Sequence, residues 1–258
     1  MDKKACIMKA INLAGSLIVE NGGETYRVEE TLTRMGRAFG LREVESFAVP
    51  SGVFVTLTFQ DGSLETQVYR ARPVGTHLEK VDEVNQISRS AARGELTCEE
   101  VLARLEKMKK QSATFSSGIR ILASGLAAAG FAVMFGGKTV DFAVAFLTGC
   151  VIQCLVAALA RMQYSRVLQN LLGGAVCTLI PLIFQALFGA GNLDAIVGGA
   201  VMPLVPGLAM TNAVQDTMRG DILSGAAHGL QAILTATLIA AGGVVATRLF
   251  WLIQGVLG

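Results

Sequence analysis

With 258 residues, 52% hydrophobic and only 16% charged, the chain lies outside the balance of soluble domains, where about a quarter of residues carry charge. A net charge of +2, with no basic tract interleaved with aromatics, sets a nucleic-acid partner aside. The charges are also uneven: 33 of the 42 Asp, Glu, Lys and Arg residues fall in the first 120 positions, which implies two different solvents for the two parts of one chain.

The N-terminal stretch is apolar enough to resemble a signal peptide, but Asn12 interrupts it and no small-residue cleavage site follows. An amphipathic helix is expected instead, with Ile7, Ile11 and Ile18 near one stripe and Asn21-Gly22-Gly23 as its stop. A second helix carries Val28, Leu32, Met35 and Phe39 on one face and ends at Gly40. The period then shortens to two. Val44 to Val49 and Val53 to Phe59 read as strands around Pro50-Ser51-Gly52, and Asp61-Gly62 turns into a third strand from Leu64 to Arg70. After Arg72-Pro73, Leu78, Val81, Val84, Ile87 and Ala91 mark a helix, and Thr97 with Glu100 forms a capping box for another. His77, Glu79, Asp82 and Glu83 offer acid-base groups, yet they share an amphipathic helix whose solvated face accounts for them. No P-loop, dinucleotide fingerprint or nucleophile elbow is present, so no catalytic residue is assigned and no enzyme is expected. The five cysteines show neither a CxxC pair nor histidine at ligand spacing, so no metal site, disulfide framework or cofactor is expected.

Beyond residue 120 the signal is a series of charge-free stretches: 121–137, 142–160, 167–193, 195–215 and 222–247. About 20 residues cross a hydrocarbon core as helix, so each can span a lipid bilayer. The expected fold is a multi-pass α-helical membrane protein of about five transmembrane helices with an N-terminal α+β cytoplasmic domain containing a small antiparallel sheet. The predicted domains are 1–113 and 114–258, with spans near 118–137, 140–160, 167–189, 193–213 and 222–247. Arg120, Arg161, Arg166 and Arg219 fall on one side if the N-terminus is inside, which predicts an inner-membrane protein with the C-terminus outside. Whether residues 248–258 prolong the last helix is open.

Pro203 and Pro206-Gly207 interrupt the fourth span, where a proline removes a backbone donor and clashes with the preceding turn. Two readings stand. A half-helix N-terminus can face a substrate carboxylate, with Pro206, Gly207, Thr211 and Asn212 as the binding segment, or neighbouring helices simply tolerate a kink. Asp216 and Asp221 follow toward the next turn, either as a gate or proton carrier or as a solvated group paired with Arg219. His228 joins the first reading as a titrating group. Gln153, Gln185 and Gln231 lie within spans, where an amide needs partners, and are predicted to line a substrate path.

The segments NGGETYRVEETLTRM from Asn21, FAVPSGVFVTL from Phe47, VDEVNQISR from Val81 and VPGLAMTNAVQDTMRGDILSG from Val205 together resemble the threonine/serine exporter family, in order and over nearly the whole chain. The length resembles the larger subunit of the family's split form. That resemblance implies a small partner membrane subunit and export of threonine and serine, or of succinate-like dicarboxylates. Where the family pattern has Arg, this chain has Gln215; where it has Arg and Glu, this chain has His228 and Gln231, so charges that bear on substrate and proton coupling are absent. The competing expectation is a non-transporting membrane scaffold or sensor whose N-terminal domain binds a partner.

Overall fold

The computed structural model describes residues 2–71, 75–111 and 115–257. The Arg72-Pro73 break and the 113/114 boundary lie outside them. The chain forms two compact units: Met1–Ala113 with Leu208–Gly229, and Thr114–Gly207 with Leu230–Gly258.

The first unit opens with α1 (Lys3–Glu20) and α2 (Thr25–Ala38), joined through Gly22, whose φ of 85° is the left-handed value a side chain resists. Strands β1 (Glu43–Val49), β2 (Gly52–Thr58) and β3 (Leu64–Arg70) form an antiparallel sheet in the order β1-β2-β3. Two helices, α3 (Leu78–Ala92) and α4 (Cys98–Lys110), follow, and Thr97 and Glu100 make the expected reciprocal cap. One core joins these layers: Ile11 and Ile18 of α1, Val28, Leu32 and Met35 of α2, Leu57 of β2, Val84 of α3 and Leu105 of α4 are all buried. Gly36 lets α2 lie against β1, because a Cβ there would meet Val44 Cγ2 at 2.1 Å. The same unit contains most of α9 (Gly207–Met218) and the first turns of α10 (Ile222–Leu257).

The second unit is helical: α5 (Ser117–Met134), α6 (Thr139–Arg161), α7 (Arg166–Phe188), α8 (Leu193–Val201) and the rest of α10. Ser116, Ser165 and Asn192 cap α5, α7 and α8 by accepting the backbone N–H three residues on. Among the described residues, four helices are long and apolar enough to cross a membrane, and a fifth crossing results if α8 and α9 together count as one broken span. Leu126, Met134, Leu147, Leu187 and Leu234 point outward, a surface suited to lipid and not to water. Close helix contact rests on glycine. A Cβ at Gly125 would stand 2.5 Å from Cys150 Sγ across α5 and α6, and one at Gly199 would stand 2.4 Å from the Ala128 carbonyl oxygen across α5 and α8. The last helix runs on through Leu257, so residues 248–257 continue it.

Candidate functional site

The polar residues that follow the helix break meet the N-terminal helices inside the first unit. Asp216, on α9, is 1% exposed. Its Oδ1 accepts from Thr25 Oγ1 at 3.0 Å, and its Oδ2 lies 3.0 Å from His228 Nδ1 on α10. Thr25 Oγ1 also lies 3.3 Å from Asp221 Oδ2. Asp221 caps α10, because its Oδ1 accepts the Ser224 N–H at 3.1 Å, and Ser224 Oγ donates in turn to the Ala48 carbonyl of β1. The Ala48 N–H goes to Glu29 Oε1 at 3.0 Å, so this one strand residue ties α2 and α10 together. Arg219 does not pair with Asp216; its guanidinium lies over the Tyr26 ring, 3.4 Å from the centroid.

The electrostatics follow from three carboxylates gathered around one imidazole and one hydroxyl. Burial raises the Glu29 carboxyl above its ordinary range, the Asp221 and Asp216 charges add to that, and the Ala48 N–H opposes it. Burial would also raise Glu24, at the head of α2, but the Arg27 hydrogen bond outweighs it and holds this carboxyl low. Because folded Glu29 holds its proton more tightly than the unfolded chain does, its stabilising contribution is full below the ordinary carboxylate value and is lost as pH rises through the raised one. Glu29→Gln retains an acceptor for Ala48 and removes that titration. Thermal unfolding of the purified protein from about pH 4 to pH 7 is therefore expected to fall less steeply in the variant, and parallel curves would refute the assignment.

A hydroxyl carries one hydrogen, so Thr25 can satisfy Asp216 or Asp221 but not both at once. Both contacts are hydrogen bonds together only when one carboxyl holds a proton. The arrangement leaves the Thr25 hydroxyl shared between two carboxylates. Beside it, Gln215 Oε1 is buried with no hydrogen-bond partner among the described residues, an acceptor open to a donor.

The sequence candidates distribute unevenly. Asn212 is buried on the same face of α9 as Asp216, while Thr211 is exposed. The predicted interruption is present: a short 3₁₀ turn at Met202–Leu204 ends in Val205 at φ −59° and ψ 131°, and α9 restarts at Gly207, whose N–H donates to the Val205 carbonyl at 2.8 Å. Pro206 is half-buried and Gly207 exposed, and a Cβ on Gly207 would meet nothing within 4 Å. Gln153 is half-buried in α6, and Gln185 and Gln231 are exposed. None of the three lines the membrane unit's own cavity of about 710 Å³, whose walls include Thr178, Ile239, Thr247, Arg248 and Trp251. Among the described residues, no group of three His, Cys, Asp or Glu is placed to hold a metal ion.

Thr25, Tyr26, Glu29 and Ser224 were not singled out by sequence. They do sit in two of the four segments that carry the family resemblance, at positions 21–35 and 205–225. Asp141 was also missed. This carboxylate, 2% exposed at the start of α6, accepts the Lys138 N–H and the Asn192 N–H, each at 2.7 Å, and so ties the α5–α6 loop to the α7–α8 loop within the membrane unit. Asp141→Asn replaces one acceptor oxygen by a donor facing an N–H, and a loss of about 1–3 kcal/mol is expected. Thermal unfolding in detergent checks it; an unchanged midpoint would show the tie to be unimportant.

A multi-pass α-helical membrane protein, with a small antiparallel sheet near its N-terminus and a buried carboxylate–imidazole contact, is the class that fold and site define. The chain belongs to the threonine/serine exporter family, whose ThrE model matches residues 9–250, and it is thus a membrane exporter by family. It is 28% identical to a Klebsiella aerogenes protein named "Probable succinate transporter subunit YjjP", across 98% of this chain and 95% of that one. An Escherichia coli protein of the same name is 27% identical across 93% of each chain. The Corynebacterium glutamicum "Threonine/serine exporter" is 24% identical across 85% of this chain and 48% of its own length. No solved structure matches.

Proposed function

We propose that this chain is the larger subunit of a two-component exporter of small carboxylated metabolites, working in the cytoplasmic membrane with its N-terminus inside and its C-terminus outside. The observation that carries the reading is one of proportion: the match covers 95% and 93% of two proteins named as probable succinate transporter subunits, but 48% of the Corynebacterium glutamicum threonine/serine exporter. A small membrane subunit would supply the remainder. The arginines at 120, 161, 166 and 219 support the orientation, since basic residues accumulate on the inner side.

In this reading, Asp216, Asp221 and His228 form the coupling element. A proton held by either aspartate lets Thr25 accept from that carboxyl while donating to the other, and loss of the proton breaks one of the two contacts. The substrate carboxylate is bound at the first turn of α9, where the amides after Pro206-Gly207 lack intrahelical partners and carry partial positive charge. Thr211 and Asn212, one turn further along the same helix, supply further polar contacts. The test is efflux of labelled succinate, serine and threonine from cells carrying this chain, the small subunit, both or neither. Efflux of a carboxylate only with both chains is expected, and full efflux with this chain alone would overturn the two-component reading. Gly207→Leu is expected to lower that efflux at least about tenfold while the protein still folds, because the new side chain enters open space beside the binding turn.

A further inference from the structure

The third strand is inverted with respect to the core. In the register of the sheet, Val53, Val55 and Leu57 of β2, all buried, stand opposite Tyr69, Gln67 and Glu65 of β3. The core face of β3 is thus polar, and its apolar residues Leu64 and Val68 are turned outward and exposed. A strand that merely closed the core would present the opposite face, since a shift of one residue exchanges the two. Behind that polar face, between α1, β3 and α4, lies a cavity of about 580 Å³, within the range that small-molecule sites occupy.

Lys9 reaches this cavity from α1, and Lys109 and Lys110 reach it from the end of α4. Among the described residues none of the three ammonium groups is in an ion pair. Among the described residues, Glu106 is the one carboxylate on the wall, against three lysines, an excess of two positive charges. Asn12 and Gln67 are held to each other, with Nδ2 donating to Oε1 at 2.6 Å, which fixes their remaining polar atoms with respect to the space. Leu13 and Leu102 supply an apolar wall. Convergent cations, pre-positioned amides and an apolar side together describe a receptor for a small molecule with an anionic end and a short carbon body.

We propose that the cavity between α1, β3 and α4 binds a small organic dianion, with Lys9, Lys109 and Lys110 meeting the charge and Asn12 and Gln67 orienting the rest. None of these residues belongs to the Asp216 cluster or to the helix break, so the site is a second one, independent of the transport reading. Carboxylate and phosphate dianions share the required chemistry, and the experiment separates them.

The purified full-length chain in detergent is titrated by calorimetry at low salt with succinate in one arm and adenosine monophosphate in the other. Saturable binding of at least one probe, weakened by added salt, is expected. Lys9→Gln combined with Lys109→Gln should weaken it at least about tenfold, the order expected when charge-assisted hydrogen bonds are lost. Glu106→Gln should tighten it, a change of opposite sign that no general damage to the fold produces. Binding of neither probe, binding unaffected by the double replacement, or loss of binding in Glu106→Gln would each overturn the proposal.

Discussion

Replacing Gly174 by leucine is expected to leave the membrane unit without its α7–α10 contact and the protein without a stable fold in detergent. At this crossing the two helices touch backbone to backbone. A Cβ at Gly174 would stand 2.0 Å from the Ile239 carbonyl oxygen, and one at Gly242 would stand 1.9 Å from the Leu171 carbonyl oxygen. Neither oxygen can yield as a flexible side chain would, because each belongs to a helix whose hydrogen-bond ladder would have to bend. Even alanine should therefore cost about 3 kcal/mol, at the upper end for overpacking, although it would gain about 1 kcal/mol at an unhindered helix position. Gly130→Leu in α5 is the control, since a Cβ there meets nothing within 4 Å. Trp251 is the chain's one tryptophan and lines the cavity beside α7 and α10, so its fluorescence during thermal unfolding reports on this contact. A wild-type midpoint for Gly174→Ala would show that the helices are not in contact there.

The second large effect is expected at Asp216. Asp216→Ala removes a partner of both Thr25 and His228 at a site that is 1% exposed, leaving His228 without its carboxylate and Thr25 with the longer contact to Asp221 alone. Each such loss costs about 1–3 kcal/mol, and the first unit should be clearly destabilised. Asp216→Asn separates structure from transport. It keeps an oxygen for Thr25 and the volume of the side chain but cannot exchange a proton, so the variant should fold while efflux falls to the level of cells lacking the chain. A double-mutant cycle of Asp216→Asn with His228→Asn should return a coupling of roughly 0.5–3 kcal/mol in stability, as for other residues in direct contact. Normal efflux by Asp216→Asn would remove this carboxylate from the coupling element. Additive stability effects would mean that the 3.0 Å contact with His228 carries no energy.

Much of the architecture was legible in local pattern. The charge-free stretches correspond to α5, α6, α7, the α8–α9 pair and α10, because a lipid-facing helix must be apolar over a length set by the bilayer. The strands follow from period-two alternation in β2, and the turns from glycines that now have positive φ, at positions 22, 40 and 62. The helix break followed from Pro203 and Pro206 alone, since a missing N–H and a ring clash act within one turn.

Other features had no local signature. Thr25 and Asp216 are 191 residues apart, and nothing near either one indicates the other; a pair of Asp216 with the nearby Arg219 was one of two sequence readings, and Arg219 stacks on Tyr26 instead. The polar inward face of β3 was hidden as well, since Leu64 and Val68 alternate as a core face would, and only the pairing with β2 reveals that they point away. Asp141 drew no notice in the sequence, because its partner Asn192, whose N–H lies 2.7 Å away, is 51 residues on. The sequence by itself determined which segments are helix, strand, turn and membrane span, because hydrophobic period and backbone restriction act over a few residues. Only the tertiary structure decided which polar groups share a site, because a hydrogen bond depends on positions in space that distant parts of the chain must jointly establish.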